Sequence, residues 1–179
     1  STPQEISTIA RHQVLNYQTI RFYDGIAERG HRVSGGFEII TAKEERFTAK
    51  KLVFAAGIKD LLPSIAGFKE CWGISVIHCP YCHGYEHKGK KTAILSNGDH
   101  ASHLAPLVHN LTKNLYILTS GKSIFDAEQL EILSKNNIKI IEKEVAQIMH
   151  DNGEIESVVF EDGSRESFEV VYASVPFEQ

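Results

Sequence analysis

Apolar residues recur at helical spacing near the start of the chain. The members of this stripe are Ile6, Ile9, Ala10, Val14 and Tyr17. Spacing of three or four residues places such side chains on one face of a helix. Ahead of them, Thr2 and Glu5 form a capping box, and Pro3 suits the first helical position. The pattern predicts an amphipathic helix that opens the chain.

Three short runs of β-type residues follow, at residues 19–25, 35–42 and 46–57. In the second run apolar and polar positions alternate, as in a half-buried strand, and the residues after it have the composition of a turn. Residues 52–56 of the third run are continuously apolar, which is typical of a strand buried on both faces. Gly57 directly after them allows a sharp bend or a close backbone approach.

From residue 90 onward the pattern alternates between strands and helices. Apolar runs predict strands at residues 90–98, 114–121 and 138–145, and helical periodicity predicts helices at 99–111 and 126–137. Such an alternation is typical of βαβ units in a parallel sheet.

The last part of the chain has a different pattern. Residues 147–174 contain three β-type runs, separated by turn signals at Asn152-Gly153 and Asp162-Gly163. This pattern predicts a three-stranded meander. Together, the β-rich first third and the alternating remainder predict an α/β protein of two lobes, divided near residues 66–72.

Composition and charge narrow the class of protein. The chain has 179 residues, of which 42% are hydrophobic and 23% charged, as in an ordinary globular protein. Its net charge is −4 and its basic residues are interspersed with acidic ones, so neither a nucleic-acid surface nor a basic membrane face is expected. No apolar stretch approaches the roughly 20 residues that span a bilayer. Three cysteines and no recognisable secretion signal lead us to expect a cytoplasmic protein.

Two of the three cysteines lie close together, in the segment Cys79-Pro80-Tyr81-Cys82-His83. The segment formally satisfies the C-x-x-C-H signature of c-type haem attachment, but the chain shows no export signal. It supplies two of the four ligands of a structural zinc site, and the nearby histidines repeat no recognised zinc spacing, so no metal is expected. C-P-Y-C is also the glutaredoxin tetrapeptide, although Gly84 disfavours the long helix that follows it there. An inert buried pair and a flavin-linked redox dithiol are two further interpretations.

The segments around this motif resemble the central part of thioredoxin reductase-like flavoproteins. The sequence KKLVFAAGIKDLLPSIAG at residues 50–67 is similar to the alanine-rich strand and the proline-containing linker of that family. The C-x-x-C segment, a strand and a loop similar to G-x-G-x-x-G/A then follow in the family's order, up to residue 108. The variant C-P-Y-C-H-G-Y-E is similar to a branch that holds bacterial thioredoxin reductase-like proteins and oxidases of small dithiols. The resemblance extends from Pro3 to about Pro176.

The resemblance implies a fold class and a domain organisation. The expected fold is α/β: a three-layer, Rossmann-like nucleotide-binding domain with a β-meander, together with a partial flavin domain. A partial FAD-binding domain is expected at residues 1–68, and a pyridine nucleotide (NADPH)-binding-like domain with the C-x-x-C pair at 69–175. Residues 176–179 are then the start of the return to the FAD domain.

The resemblance also implies a role for each candidate residue. Cys82 is expected to face the flavin, and Cys79 to be the interchange thiol that exchanges with the substrate disulfide. His83 stands where many relatives have an acid-base aspartate, and histidine titrates near neutral pH. Cys71 is expected to be a packing residue. The candidate cofactor-binding residues are Ser96, Asn97, Gly98 and Ala101 in the nucleotide loop, and Ala56 and Gly57 at the flavin.

The implied activity is that of an FAD-dependent NAD(P)H/disulfide oxidoreductase. Its substrate is expected to be a small dithiol or a thioredoxin-like protein, and members of the family are often homodimers. The chain departs from the family in two places outside the nucleotide loop: the G-x-G-x-x-G expected before the first helix and the C-terminal G-D segment are both missing. The chain is therefore expected to begin inside the flavin domain and to bind FAD poorly on its own.

The nucleotide loop departs from the family as well. Ser96 replaces its first glycine, Gly98 keeps the second, and Ala101 stands at the third. Near Lys122 the sequence carries neither an acid for a ribose hydroxyl nor an arginine for a 2′-phosphate. These changes favour poor NADPH use or an NADPH-independent dithiol oxidase. A non-catalytic nucleotide-binding domain with vestigial cysteines is the alternative from another class.

Overall fold

A computed structural model describes residues 3–179, and their side chains from residue 5 onward. The chain divides into two compact units, Ser1–Ala56 and Gly57–Gln179. The division lies ahead of the proline-containing linker, whereas the sequence placed the domain boundary after it, at residue 68. Which cofactor belongs to which domain stays a prediction. Thr2, the predicted capping residue, lies outside the described residues.

The first unit holds one helix and a small antiparallel sheet. Helix α1 is Pro3–Val14, and the strands are β1 Ala27–Val33, β2 Gly36–Thr41 and β3 Arg46–Ala49, in the order β1-β2-β3. The predicted opening helix is confirmed, although Tyr17 lies beyond its end. Ile6 and Ile9 of the predicted apolar face remain more than half exposed.

Two predicted strands of this unit are wrong. Residues 19–25 are irregular, and the strand beside β2 is β1, which is held by backbone pairing from Val33↔Gly36 onward. Residues 52–56 are also not a strand, and Val53 and Phe54 are more than four-fifths exposed. A strand persists only where a neighbour satisfies its backbone groups. Within residues 3–179 no strand pairs with this segment.

The second unit is built around a five-stranded parallel sheet. Its strands are β4 Lys59–Asp60, β5 Val76–Ile77, β6 Thr92–Leu95, β7 Leu115–Leu118, β8 Lys139–Ile141, β9 Val145–Asp151, β10 Glu154–Phe160, β11 Arg165–Glu166, β12 Val170–Ala173 and β13 Phe177–Glu178. Its helices are α2 Phe68–Cys71, α3 Pro80–His83, α4 Gly98–His109 and α5 Ala127–Lys135. The parallel sheet has the order β5-β12-β6-β7-β8.

The predicted βαβ alternation is confirmed by β6, α4, β7, α5 and β8. Helix α5 starts with a capping box in which Asp126 accepts from the Gln129 amide and the Gln129 side chain accepts from the Asp126 amide. This reciprocal pair satisfies two backbone donors at the helix start. The predicted strand at residues 138–145 is divided, because β8 ends at Ile141 and Val145 already belongs to β9.

The predicted meander is confirmed as β9-β10-β11, but its third strand was drawn too long. Only Arg165–Glu166 pairs with β10. The residues that follow form β12, which enters the centre of the parallel sheet between β5 and β6. All four residues of β12 are buried, as expected for a parallel strand covered on both faces.

Two apolar cores cover the two faces of the parallel sheet. One lies under the meander and includes Phe68, Cys71 and Phe168, and the other lies under α4 and α5 and includes Leu133 and Tyr172. Burial of each large apolar side chain contributes about 2 kcal/mol. The second unit is thus a three-layer, Rossmann-like α/β domain, as predicted. No helix among the described residues is long and apolar enough to span a bilayer.

Candidate dithiol site and nucleotide cleft

Cys79 and Cys82 lie in a single turn of helix at the end of β5. Cys79 is the N-cap residue of α3 with extended backbone angles, φ −115° and ψ 114°, and Pro80 takes the first helical position. A helical turn brings residues three apart onto one face. The two Sγ atoms are consequently 2.8 Å apart, with the Cys82 thiol donating to the Cys79 sulfur.

The two thiols differ in acidity. The hydrogen bond from Cys82, aided by the backbone N–H groups of Cys82 and Tyr81, lowers the pKa of Cys79 below its ordinary value. The same thiol hydrogen bond raises the pKa of Cys82. Because the thiolate is the reactive form of cysteine, Cys79 is the better nucleophile of the pair near neutral pH.

The dithiol is open to the surface of the second unit. Cys82 is exposed and Cys79 is half-buried. Tyr81, between the cysteines, and Tyr85, after them, are each 81% exposed. A disulfide partner can therefore reach the sulfurs without unfolding of the domain.

The third predicted catalytic residue, His83, ends helix α3 and is exposed. Its backbone N–H donates to the carbonyl oxygen of Cys79. Within the described part of the chain, no hydrogen bond joins its imidazole ring to either sulfur. Its role as proton carrier stays a prediction.

Sequence reasoning missed Tyr172, which lies on β12 beside the dithiol. Its side chain is 1% exposed. Burial raises its pKa to about 12, and the charges of Cys79 and Glu86 raise it further. The apolar run Val-Val-Tyr-Ala was a signal for a buried strand, but its position next to β5 depends on the topology of the sheet.

A cleft of about 460 Å³ lies at the carboxyl ends of β6, β7 and β12. Its polar lining includes Ser96, Asn97, Thr119 and Ser120, and the rest is mainly apolar. Open α/β sheets bind ligands at this edge. The structure thus brings Ser96 and Asn97 to the expected place, while Ala101 is fully buried in the core beneath α4.

The loop at the start of α4 is filled by its own side chains. The Asn97 Oδ1 atom accepts from the amide of Gly98 at 2.9 Å and from the amide of Ile124 at 3.1 Å. Its Nδ2 atom donates to the carbonyl oxygen of Lys122 at 2.9 Å. Ile124 also stands over Gly98, where a Cβ atom would lie 3.0 Å from the isoleucine side chain.

These contacts bear on whether the loop fits a dinucleotide. A Rossmann loop binds pyrophosphate through free backbone N–H groups at the helix start, which glycines let the phosphate approach. Here the Gly98 amide already has a partner, and Ser96 Oγ and His100 Nδ1 lie 3.1 Å apart across the loop. The residues present do not fit the pyrophosphate of NADPH.

The candidate flavin residues form no cradle either. Ala56 and Gly57 lie in an exposed, irregular segment, and nothing lies within 4 Å of the place of a Cβ atom at Gly57. The sequence contains no two glycines separated by one residue, so a G-x-G loop is lacking. The described residues alone do not fit FAD. They also contain no cluster of three or more histidine, cysteine or acidic side chains that could hold a metal ion.

Comparison with known proteins identifies the class. Residues 4–176 match the family described as pyridine nucleotide-disulphide oxidoreductase. The chain belongs to this family and is thioredoxin reductase-like within it. Members of the family are FAD-dependent and use NADPH.

Individual relatives give the same result. Thioredoxin reductase aclD of Aspergillus oryzae is 30% identical over 159 residues, which is 84% of this chain and 51% of that protein. The crystal structure of TrxB from Bacillus anthracis has a TM-score of 0.89 and 28% identity, over 100% of this chain and 60% of that one. An oxidoreductase from Agrobacterium tumefaciens has a TM-score of 0.86 and 29% identity, over 99% of this chain and 58% of that one. The chain spans about half the length of the curated relatives it matches.

Proposed function

We propose that the chain carries the redox dithiol of a thioredoxin reductase-like, flavin-dependent thiol/disulfide oxidoreductase, and that Cys79 and Cys82 are its redox pair. The observation that carries the proposal is the 2.8 Å separation of the two Sγ atoms at the surface. A disulfide has an S–S bond of about 2 Å, so the pair closes with only a small movement. The acidity of Cys79 assigns the first attack to that sulfur.

The exchange proceeds in two balanced steps. The Cys79 thiolate attacks one sulfur of the substrate disulfide, which forms a mixed disulfide and releases one substrate thiolate that takes up a proton. Cys82 then loses its proton and attacks the Cys79 sulfur, which closes the Cys79–Cys82 disulfide and releases the second substrate thiolate, also to be protonated. One protein dithiol and one substrate disulfide thus become one protein disulfide and two substrate thiols.

The same pair works in the opposite direction with a dithiol substrate. The substrate then reduces the Cys79–Cys82 disulfide and is itself oxidised, by the same two exchanges in reverse. The exposure of Cys82 and Tyr81 supports a small dithiol or a thioredoxin-like protein as the substrate. The proposed oligomeric state is the homodimer, and His83 is the proposed proton carrier.

A second candidate is an NADPH-independent dithiol oxidase. It is supported by the loop at the start of α4, where Asn97 occupies the amide that a phosphate needs. In this candidate the dithiol exchanges described above run in the direction of substrate oxidation. The cysteine pair has the same role in both candidates.

The experiment that tests the proposal traps the mixed disulfide. The reduced chain is treated with oxidised glutathione, and each cysteine is identified by peptide mass spectrometry. In the Cys82→Ser chain we expect glutathione to remain on Cys79, because the resolving thiol is absent. In the unsubstituted chain we expect a Cys79–Cys82 disulfide and no retained glutathione.

Cys71 supplies the matched control. It is fully buried, and burial raises its pKa, so the Cys71→Ala chain is expected to close the same disulfide. Stable glutathione on Cys79 in the unsubstituted chain, at the level seen in the Cys82→Ser chain, would show that the pair does not act as a redox disulfide.

A further inference from the structure

The hydroxyl of Tyr172 is a buried polar group that the exchange above does not use. The side chain is 1% exposed and lies in the core between the parallel sheet and α4. Among residues 3–179, no hydrogen bond involves this hydroxyl, and yet no completely buried polar side-chain atom lacks a partner. The small remaining exposure therefore lies at the hydroxyl. A buried tyrosine usually pairs its hydroxyl, so a free one needs an explanation.

The strand that leads to Cys79 alternates between the two faces of the sheet. Val76 packs in the core under the meander, and Ile77 packs in the core under the helices. The ring of His78 lies 6.5 Å from that of Trp72, which packs against the meander core. Cys79 follows with extended backbone angles. Alternation places its side chain on the helix face, the same face as Ile77.

Tyr172 lies on this same face, one strand away. It is the register partner of Ile77 in the parallel pair of β12 and β5, and both side chains belong to the helix-side core. Residues two positions from a direct partner are within reach of an aromatic side chain. The charge of Cys79 acts on the Tyr172 hydroxyl, which places the two groups in one electrostatic environment.

We propose that Tyr172 is a positioning residue for the dithiol, whose hydroxyl donates a hydrogen bond to the Cys79 sulfur when that sulfur is a thiolate. The inference rests on the proposed function, because it assigns Cys79 as the interchange thiol. In the reduced pair the side-chain donor to Cys79 is the Cys82 thiol. Once Cys82 gives up its proton or is substituted, the Tyr172 hydroxyl is the phenolic donor on this face. Hydrogen bonds to charged acceptors are stronger than those between neutral groups.

The other titratable groups around Cys79 are Cys82, Glu86, His83 and His87. The pKa of Tyr172 stands at about 12, so its hydroxyl keeps its proton throughout the range in which cysteine ionises. Burial and the charge of Lys90 lower the pKa of His87. Serine at position 82 removes the coupled titration of the second thiol.

The test measures the pH dependence of Cys79 alkylation by iodoacetamide in the full chain with Cys82→Ser and Cys71→Ala, so that one thiol remains. Adding Tyr172→Phe keeps the ring and removes the hydroxyl. We expect the midpoint of the pH–rate profile to rise by about one pH unit, which is about a tenfold lower alkylation rate near neutral pH. A mere packing change would lower the melting temperature and leave this midpoint in place.

Tyr116→Phe is the matched control. Tyr116 is also a buried tyrosine of the parallel sheet, but it packs in the meander core and its hydroxyl accepts from Lys139 at 3.0 Å. We expect the Tyr116→Phe chain to keep the midpoint of the parent. An equal midpoint in the Tyr172→Phe chain would overturn the inference.

A second measurement needs no tyrosine variant. In the unsubstituted chain and in the Cys79→Ala chain, tyrosine ionisation is followed by ultraviolet absorbance. We expect the last tyrosine to ionise at lower pH in the Cys79→Ala chain, because the thiolate that opposes its ionisation is gone. An unchanged last step would overturn the inference. If glutathione trapping fails in the unsubstituted chain, the proposed function fails separately, whatever the midpoints show.

Discussion

Two cysteines three positions apart acquire different chemistry from their places in one helical turn. Cys79, at the start of α3, accepts hydrogen bonds from a thiol and from two backbone N–H groups, whereas Cys82 donates its own proton to Cys79. Each donor favours the charged form of the acceptor. The difference in acidity thus follows from local geometry, with no charged side chain required.

This difference predicts a pH dependence. In the reduced, unsubstituted chain, iodoacetamide is expected to label Cys79 before Cys82. Because the pKa of Cys79 is lowered, its labelling should persist at pH values where an ordinary thiol is already protonated. The same shift contributes stability above the pKa of the unfolded thiol, and this contribution is lost as the pH falls through the lowered value.

Peptide mass spectrometry at a series of pH values measures the order of labelling. Cys71, buried in the core, is the internal reference and is expected to stay unlabelled until the chain unfolds. Labelling of Cys82 ahead of Cys79 throughout the series would contradict the assignment of the interchange thiol.

The residues of the site were predictable from the sequence to different extents. The C-x-x-C spacing was enough to predict that two sulfurs meet, because that spacing needs only one helical turn. Tyr172 was not predictable, because its approach to Cys79 depends on the pairing of β12 with β5, strands that are almost one hundred residues apart.

At the scale of elements, the start of α4 decides what the cleft can hold. Asn97 caps the helix and fastens the loop that contains Lys122 and Ile124, through three hydrogen bonds of 2.9–3.1 Å. Glycines leave such a helix start open to a phosphate, whereas this asparagine supplies its own acceptor. The element is therefore stabilised as a scaffold rather than prepared for a dinucleotide.

A calorimetric titration of the chain with NADPH tests this interpretation. We expect no saturable heat, because the Gly98 amide is already paired. The Asn97→Ala chain is expected to lose about 1 kcal/mol of unfolding free energy in urea, the typical cost of a lost helix cap. Ser134→Ala, at an exposed position of α5, is the stability control and should leave that free energy nearly unchanged. Saturable binding of NADPH by the unsubstituted chain would show that the loop is open.

The elements themselves were predicted best where the pattern is both periodic and local. Helix α5 and strands β6 and β7 matched because capping residues and apolar runs fix them within one segment. Residues 52–56 failed because an apolar run indicates burial but does not supply the neighbouring strand. Strand β12 was merged into the meander because the sequence does not show which sheet a strand joins.

At the scale of the whole molecule, the chain is a Rossmann-like domain with a dithiol at one sheet end and a second, smaller unit ahead of it. It spans about half the length of its curated relatives, so the activity of a whole enzyme is a proposal about more than these residues. The dithiol, by contrast, lies entirely within the second unit. Its redox behaviour can therefore be measured in this chain without a flavin.

The most direct measurement is an equilibrium titration of the chain against the reduced and oxidised forms of dithiothreitol, with peptide mapping at each point. We predict one two-electron transition in which Cys79 and Cys82 are lost together as free thiols and recovered as one intramolecular disulfide, while Cys71 stays free. Independent oxidation of the two thiols, or disulfides formed only between chains, would contradict the account.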